Sequence, residues 1–147
     1  MSPLLKGLLS ELHQLYFKPN GFLKKRQRFR RDIDIVMQEV EFQSSQWNSA
    51  ADPTRFYVNV SIGFADIPMR EGKPALTGTT RVHSLVPGTP PHYDLTAENY
   101  AELREELLQS IPQALAELPK HHEDVRTYAL RGSHCVIPVP SSWRSSS

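Results

Sequence analysis

The sequence predicts an α+β domain in which an antiparallel sheet of about four to five strands packs against an N-terminal helix and a long, proline-kinked C-terminal helix. Three observations predict it. Leucines recur at helical spacing from Leu4, residues 56–64 alternate apolar and polar side chains, and a second helical series runs from Tyr100 to Leu118. Strands in the middle of the chain, joined by short connections, favour antiparallel pairing. The 147 residues suit one domain over 1–140, followed by a tail, SSWRSSS at 141–147, expected to fray.

Ser2 suits a helix N-cap and Pro3 the first helical position, where a missing N–H costs nothing. Leu4, Leu5, Leu8, Leu12, Leu15 and Tyr16 then form one apolar stripe, which predicts a helix over 3–17. Pro19 and Asn20-Gly21 stop it. The next segment, FLKKRQRFRRD, reads as a basic edge strand anchored by Phe22 and Phe29, because lysine and arginine discourage pairing between edges. In DIDIVMQEVEFQSSQW, Val36, Val40 and Phe42 share one strand face and Ile35 and Met37 the other, with a turn at 48–53.

RFYVNVSIGF is the clearest strand. Phe56, Val58, Val60, Ile62 and Phe64 alternate with Tyr57, Asn59, Ser61 and Gly63, so the second set faces water or a ligand. After a loop around Gly72 and Pro74, TTRVHSLV reads as a weaker strand, and VPGTPPH as a loop. Thr96 caps a helix over 97–118 that buries Tyr100, Leu103, Leu107, Ile111, Ala114 and Leu118. Pro112 should kink this helix rather than end it, because the apolar phase continues past it, and Pro119 should end it. A short strand is expected near 133–139.

Composition bounds the function. The chain is 39% hydrophobic and 22% charged with a net charge of +1, which gives no global pull toward nucleic acid or anionic membrane. The N-terminal segment lacks the pattern of a signal peptide or membrane span, so no membrane association is expected. The single cysteine, Cys135, excludes an intramolecular disulfide and fits a reducing, cytoplasmic setting. It reads as a buried structural thiol. No histidine or cysteine pair has zinc spacing, since neighbours such as His134-Cys135 point to opposite faces of a strand. Neither a nucleophile elbow nor a phosphate or dinucleotide loop is present. No metal, cofactor or catalytic residue is therefore assigned, and the reading leans away from an enzyme.

Two candidate binding regions remain. Lys24, Lys25, Arg26, Arg28, Arg30 and Arg31 put six positive charges into one run, so the rest of a +1 chain sums to −5. Much of that balance lies between Glu98 and Asp124. Lys25, Arg28 and Arg30 are the run's candidates for contacting phosphate or an acidic partner, against a plain role in edge protection. The second region is polar and aromatic: Gln43, Gln46, Trp47, Asn48, Tyr57 and Asn59. Tryptophan, tyrosine and amides together suit a protein-binding patch, whereas Trp47 alone could equally cap the core.

Pro19-Asn20-Gly21-Phe22 with Lys24-Lys25, Phe42-Gln43-Ser44-Ser45-Gln46-Trp47-Asn48 and Phe56-Tyr57-Val58-Asn59 resemble the bacterial domain-of-unknown-function family numbered 4304. The resemblance covers residues 4–65 well, and Thr80-Arg81-Val82 and Tyr93-Asp94-Leu95 more loosely. Ser61 stands where the family often has glycine. The resemblance implies the same order of elements and a bacterial setting, and no chemistry, since the family has no established activity. The expected function is a non-enzymatic protein-binding module of the immunity or adaptor kind. The alternative is a nucleic-acid-binding domain using segment 24–31.

Overall fold

The computed structural model describes residues 2–45, 53–69, 72 and 74–143. Helix α1, Pro3–Leu12, is capped by Ser2, whose hydroxyl accepts from the Leu5 N–H at 3.1 Å. A π-helical turn, His13–Phe17, continues it to the predicted end. There Lys18 N–H donates to the carbonyl of His13, five residues back, at 2.8 Å. This wider turn corrects the predicted stripe. Phe17 takes the inward place that normal spacing gives to Leu15 or Tyr16, and Leu15 is left 58% exposed.

The sheet has seven strands among the described residues, more than the four to five predicted. They are β1 (Leu23–Lys25), β2 (Arg28–Ile33), β3 (Val36–Ser44), β4 (Thr54–Pro68), β5 (Pro74–Arg81), β6 (Tyr93–Leu95) and β7 (Cys135–Val136). Their order is β1-β2-β3-β4-β5-β7, with β6 also pairing with β4. All pairs are antiparallel except β5 with β7, so the sheet is mixed. The basic segment forms a hairpin rather than a single edge strand. Its β1 is the edge and its β2 lies inside, paired with β3.

Two further differences have plain causes. The predicted strand 79–86 stops at Arg81, and Val82–Leu85 make one helical turn, α2. Val82, Leu85 and Val86 point inward at i, i+3 and i+4, the spacing of a helix and not of a strand. Helix α3, Tyr100–Glu117, runs through Pro112 without a break, as its apolar phase predicted. Thr96 caps the turn before it by trading hydrogen bonds with Asn99, at 2.8 and 3.2 Å. Pro119 does not end the helical region. A 3₁₀ turn, Leu118–His121, leads into an unpredicted helix α4, His122–Leu130. Gly132, at φ 74°, closes α4 as Gly132 N–H donates to Ala129 and Ser133 N–H to Tyr128. After β7, Ser141–Trp143 form a 3₁₀ turn, and the Trp143 ring lies 5.9 Å from that of Tyr128.

The helices gather on one face of the sheet. Phe29, Val40, Phe42, Phe56, Val58, Val60 and Ile62 are buried there with Leu8, Leu12, Leu107 and Ile111 in one continuous core. Phe17 stacks on Phe29 at 3.9 Å and meets Phe42 edge-on at 6.3 Å. Gly78 gives α4 its seat, since a Cβ there would come within 2.8 Å of both Val125 methyls. Cys135 lies in this core, and burial pushes its thiol up. Glu11 of α1 ties the helices together. It accepts from the Tyr100 hydroxyl at 2.6 Å and from Arg104 at 3.2 Å.

Candidate functional site: the open face of the sheet

Because side chains alternate along a strand, the residues between the core positions form the opposite face. The register arranges them into two rows that cross the sheet. One row runs Lys25, Arg28, Glu41, Asn59, Arg81, and the next runs Leu23, Arg30, Glu39, Ser61, Thr79. Gln43 and Tyr57 pair beside the first row. Lys25, Arg28, Arg30, Gln43, Tyr57 and Asn59, six of the predicted binding residues, therefore share one face. Trp47 and Asn48, and with them Gln46 and all of the predicted turn at 48–53 except its last residue, Pro53, lie outside the described residues.

Within the rows, polar groups answer one another. Arg28 reaches Glu41 at 3.1 Å, and the Asn59 amide donates to Glu41 at 3.2 Å and to Gln43 at 2.9 Å. Ser61 Oγ and Thr79 Oγ1 are 2.9 Å apart. The Arg81 guanidinium lies over the Tyr57 ring, 4.0 Å from its centre, and His92 meets the same ring edge-on at 6.1 Å. At the rim, Arg55 holds Asp94 at 2.9 Å and keeps that carboxyl below its ordinary range.

Glu39 stands apart. It sits mid-row yet is only 8% exposed, its nearest cation is Arg28 at 4.0 Å, and it accepts no hydrogen bond among the described residues. Burial pushes its carboxyl up, Arg28 draws it back, and neighbouring Glu41 adds to the rise. Arg30 has Met37 Sδ as its close contact, at 2.7 Å. At the hairpin end, Lys25, Arg26, Gln27, Arg28 and Glu41 line an open depression of about 500 Å³.

The basic run is split by this geometry. Lys25, Arg28 and Arg30 belong to the open face, whereas Arg31 points to the helix side. There it donates to Gln38 at 2.9 Å and to the Asn20 carbonyl at 3.2 Å, and covers the Phe22 ring at 4.5 Å. Arg31 thus ties the exit of α1 to the sheet. Sequence reasoning placed Ser61 on this face and missed Glu39, Glu41, Thr79 and Arg81 as site residues. The parity of VMQEVEFQ already put both glutamates opposite Val40 and Phe42, so that signal was there to use.

The family model described as Domain of unknown function (DUF4304) matches residues 14–122. The chain belongs to this family. The match begins at residue 14, later than the expected 4, and runs past 65 through β1 to β6 and all of α3, so both cross-strand rows lie inside the DUF4304 domain. No curated protein and no solved structure matches the chain.

Proposed function

We propose that this DUF4304 chain is a non-enzymatic protein-binding module that docks its partner on the open sheet face, as an adaptor or immunity protein of the bacterial cytoplasm. One observation carries the reading. The face interleaves cations, carboxylates, amides and an arginine-covered tyrosine in two ordered rows, the mixture that protein interfaces use. A nucleic-acid backbone fits it poorly, because phosphates laid along the cations would meet Glu39 and Glu41 between them. The cytoplasmic setting is supported by the lone buried Cys135. Among the described residues, no helix is long and apolar enough to cross a membrane. The adaptor or immunity role rests on analogy with small stand-alone bacterial domains.

The test compares two binding modes on the same face. Mixed RNA and DNA oligonucleotides should not bind the wild type, and the neutralising variant Lys25→Gln–Arg28→Gln–Arg30→Gln should change nothing in that assay. A protein captured by the wild type should be lost by Tyr57→Ala–Asn59→Ala and kept by Glu102→Gln–Glu106→Gln on the helix layer. Oligonucleotide binding that weakens steeply with salt and disappears in the triple variant would make the domain a nucleic-acid binder instead.

A further inference from the structure

Most of the charges that the open face leaves without an ion-pair partner are cations, with Asp32 at the far end of β2 as an exposed carboxylate among them. Arg28 is occupied by Glu41, and Arg55 by Asp94. Lys25 and Arg26 at the hairpin, Arg30 in the second row and Arg81 at the far end have no carboxylate within 4.0 Å among the described residues. Arg30 rests on a sulfur and Arg81 on a ring, and both contacts leave the guanidinium edge able to donate. Between these cationic ends lies Glu39, 8% exposed, whose carboxylate oxygens still touch solvent and accept no hydrogen bond among the described residues. A partner seated on the face would take that remaining water away, so the carboxylate would then need a donor from the partner.

Building on the protein-binding reading, we infer that the occupant of this face is an acidic protein surface. It sets carboxylates against Lys25–Arg26 at one end and Arg81 at the other, and a hydrogen-bond donor over Glu39 between them. Taken strand by strand, the order acid, donor, acid complements Lys25 on β1, Glu39 one row over on β3, and Arg81 on β5. A phosphate backbone can answer the two ends and has no donor for the middle. A second copy of this chain could supply the acids from its own helix layer, at Glu98, Glu102 and Glu106. That contact would join two different surfaces, and such contacts build rings or open chains rather than a closed pair.

A random peptide library displayed on phage, selected against the full chain, tests the inference. The selected peptides should carry acidic residues on both sides of a lysine, arginine or amide. Arg81→Glu should lower their affinity at least roughly tenfold at low salt. A peptide with the matching acid changed to lysine should recover much of that loss. Glu39→Gln, which keeps shape and adds a donor where an acceptor stood, should weaken the same peptides while circular dichroism shows the fold intact. Selected peptides that are neutral or basic, yet are lost by Tyr57→Ala–Asn59→Ala, would overturn the acidic occupant and leave the face a protein site. Oligonucleotide binding with no peptide bound at the face would sink both readings. Concentration-dependent sedimentation of the wild type, abolished by Glu102→Lys–Glu106→Lys, would make the occupant a second copy and overturn the inference as well.

Discussion

Along β4, consecutive residues belong to two different surfaces. Phe56, Val58, Val60 and Ile62 are at most 2% exposed beneath the helices, while Tyr57 and Asn59 between them look out from the open face. The covered face is apolar and continuous, and its parts answer one another through area and shape. The open face is built from single polar contacts between named partners, and it leaves the Glu39 carboxylate without a hydrogen bond among the described residues. The contrast separates what holds the fold from what is available to a partner, and it does so at a spacing of one residue.

The strongest way to break this contrast is to attack the covered face. Phe42 is fully buried and touches Phe17, Phe29 and Phe56, at 6.3, 5.9 and 5.9 Å between ring centres. Phe42→Ala should cost about 3–5 kcal/mol, because it removes the transfer energy of a whole ring and leaves a cavity between helix and sheet. Urea denaturation measures it. A loss below about 1 kcal/mol would mean that the two faces do not divide the work as described.

How far the contrast was legible beforehand follows from the same alternation. Period two along 56–64 separates the two faces of β4 in the sequence itself, and the leucine spacing and the phase through Pro112 locate α1 and α3. What stayed hidden depends on contacts distant in sequence or on weak local signals. The β1–β2 hairpin turns at Arg26, at φ 57°, with no glycine or asparagine to announce it. Helix α4 buries only Val125 and Ala129, too thin a stripe to stand out in a polar segment. The site was legible as a list of residues and not as a pattern. Arg28, Glu41, Asn59 and Arg81 come from four strands, and only the pairing register sets them side by side.

A smaller effect sharpens the contrast through two carboxylates of opposite sign. On the helix side, the Tyr100 hydroxyl and then Arg104 hold Glu11 below its ordinary value of 4.5, while burial and Glu11 push Tyr100 up to about 12. A lowered folded value contributes stability that is present above 4.5 and is lost as pH falls through it. On the open face, Glu39 is raised by burial, so the folded chain holds that proton better than the unfolded one. Its contribution therefore declines as pH rises from 4.5 through the raised value. Denaturation midpoints should show Glu11→Gln weaker than wild type at neutral pH, with the difference closing in acid. Glu39→Gln should be more stable than wild type at neutral pH, with that gain shrinking in acid. Two variants moving in the same direction would show that Glu39 is satisfied like any structural residue, and would remove the feature that marks this face as a site.

The smallest expected effect is the one that matters most to the contrast. Asn59 lies between Val58 and Val60 in the same strand, and its amide donates to Glu41 and Gln43. Both acceptors keep access to solvent, with the Glu41 side chain 29% exposed, so water can take the place of the amide once it is gone. Asn59→Ala should therefore lower stability by less than about 1 kcal/mol, the net worth of an ordinary hydrogen bond. Binding is a different matter, since a partner seated on the row excludes the water that compensates in the free chain. Glu41 and Gln43 would then lose a donor with nothing to replace it, so the loss in affinity should exceed the loss in stability. Urea midpoints and titration of a face-binding peptide with the same protein samples give the two numbers. A stability loss near that of Phe42→Ala would assign Asn59 to the fold. Equal affinity in variant and wild type would remove the first row from the binding surface.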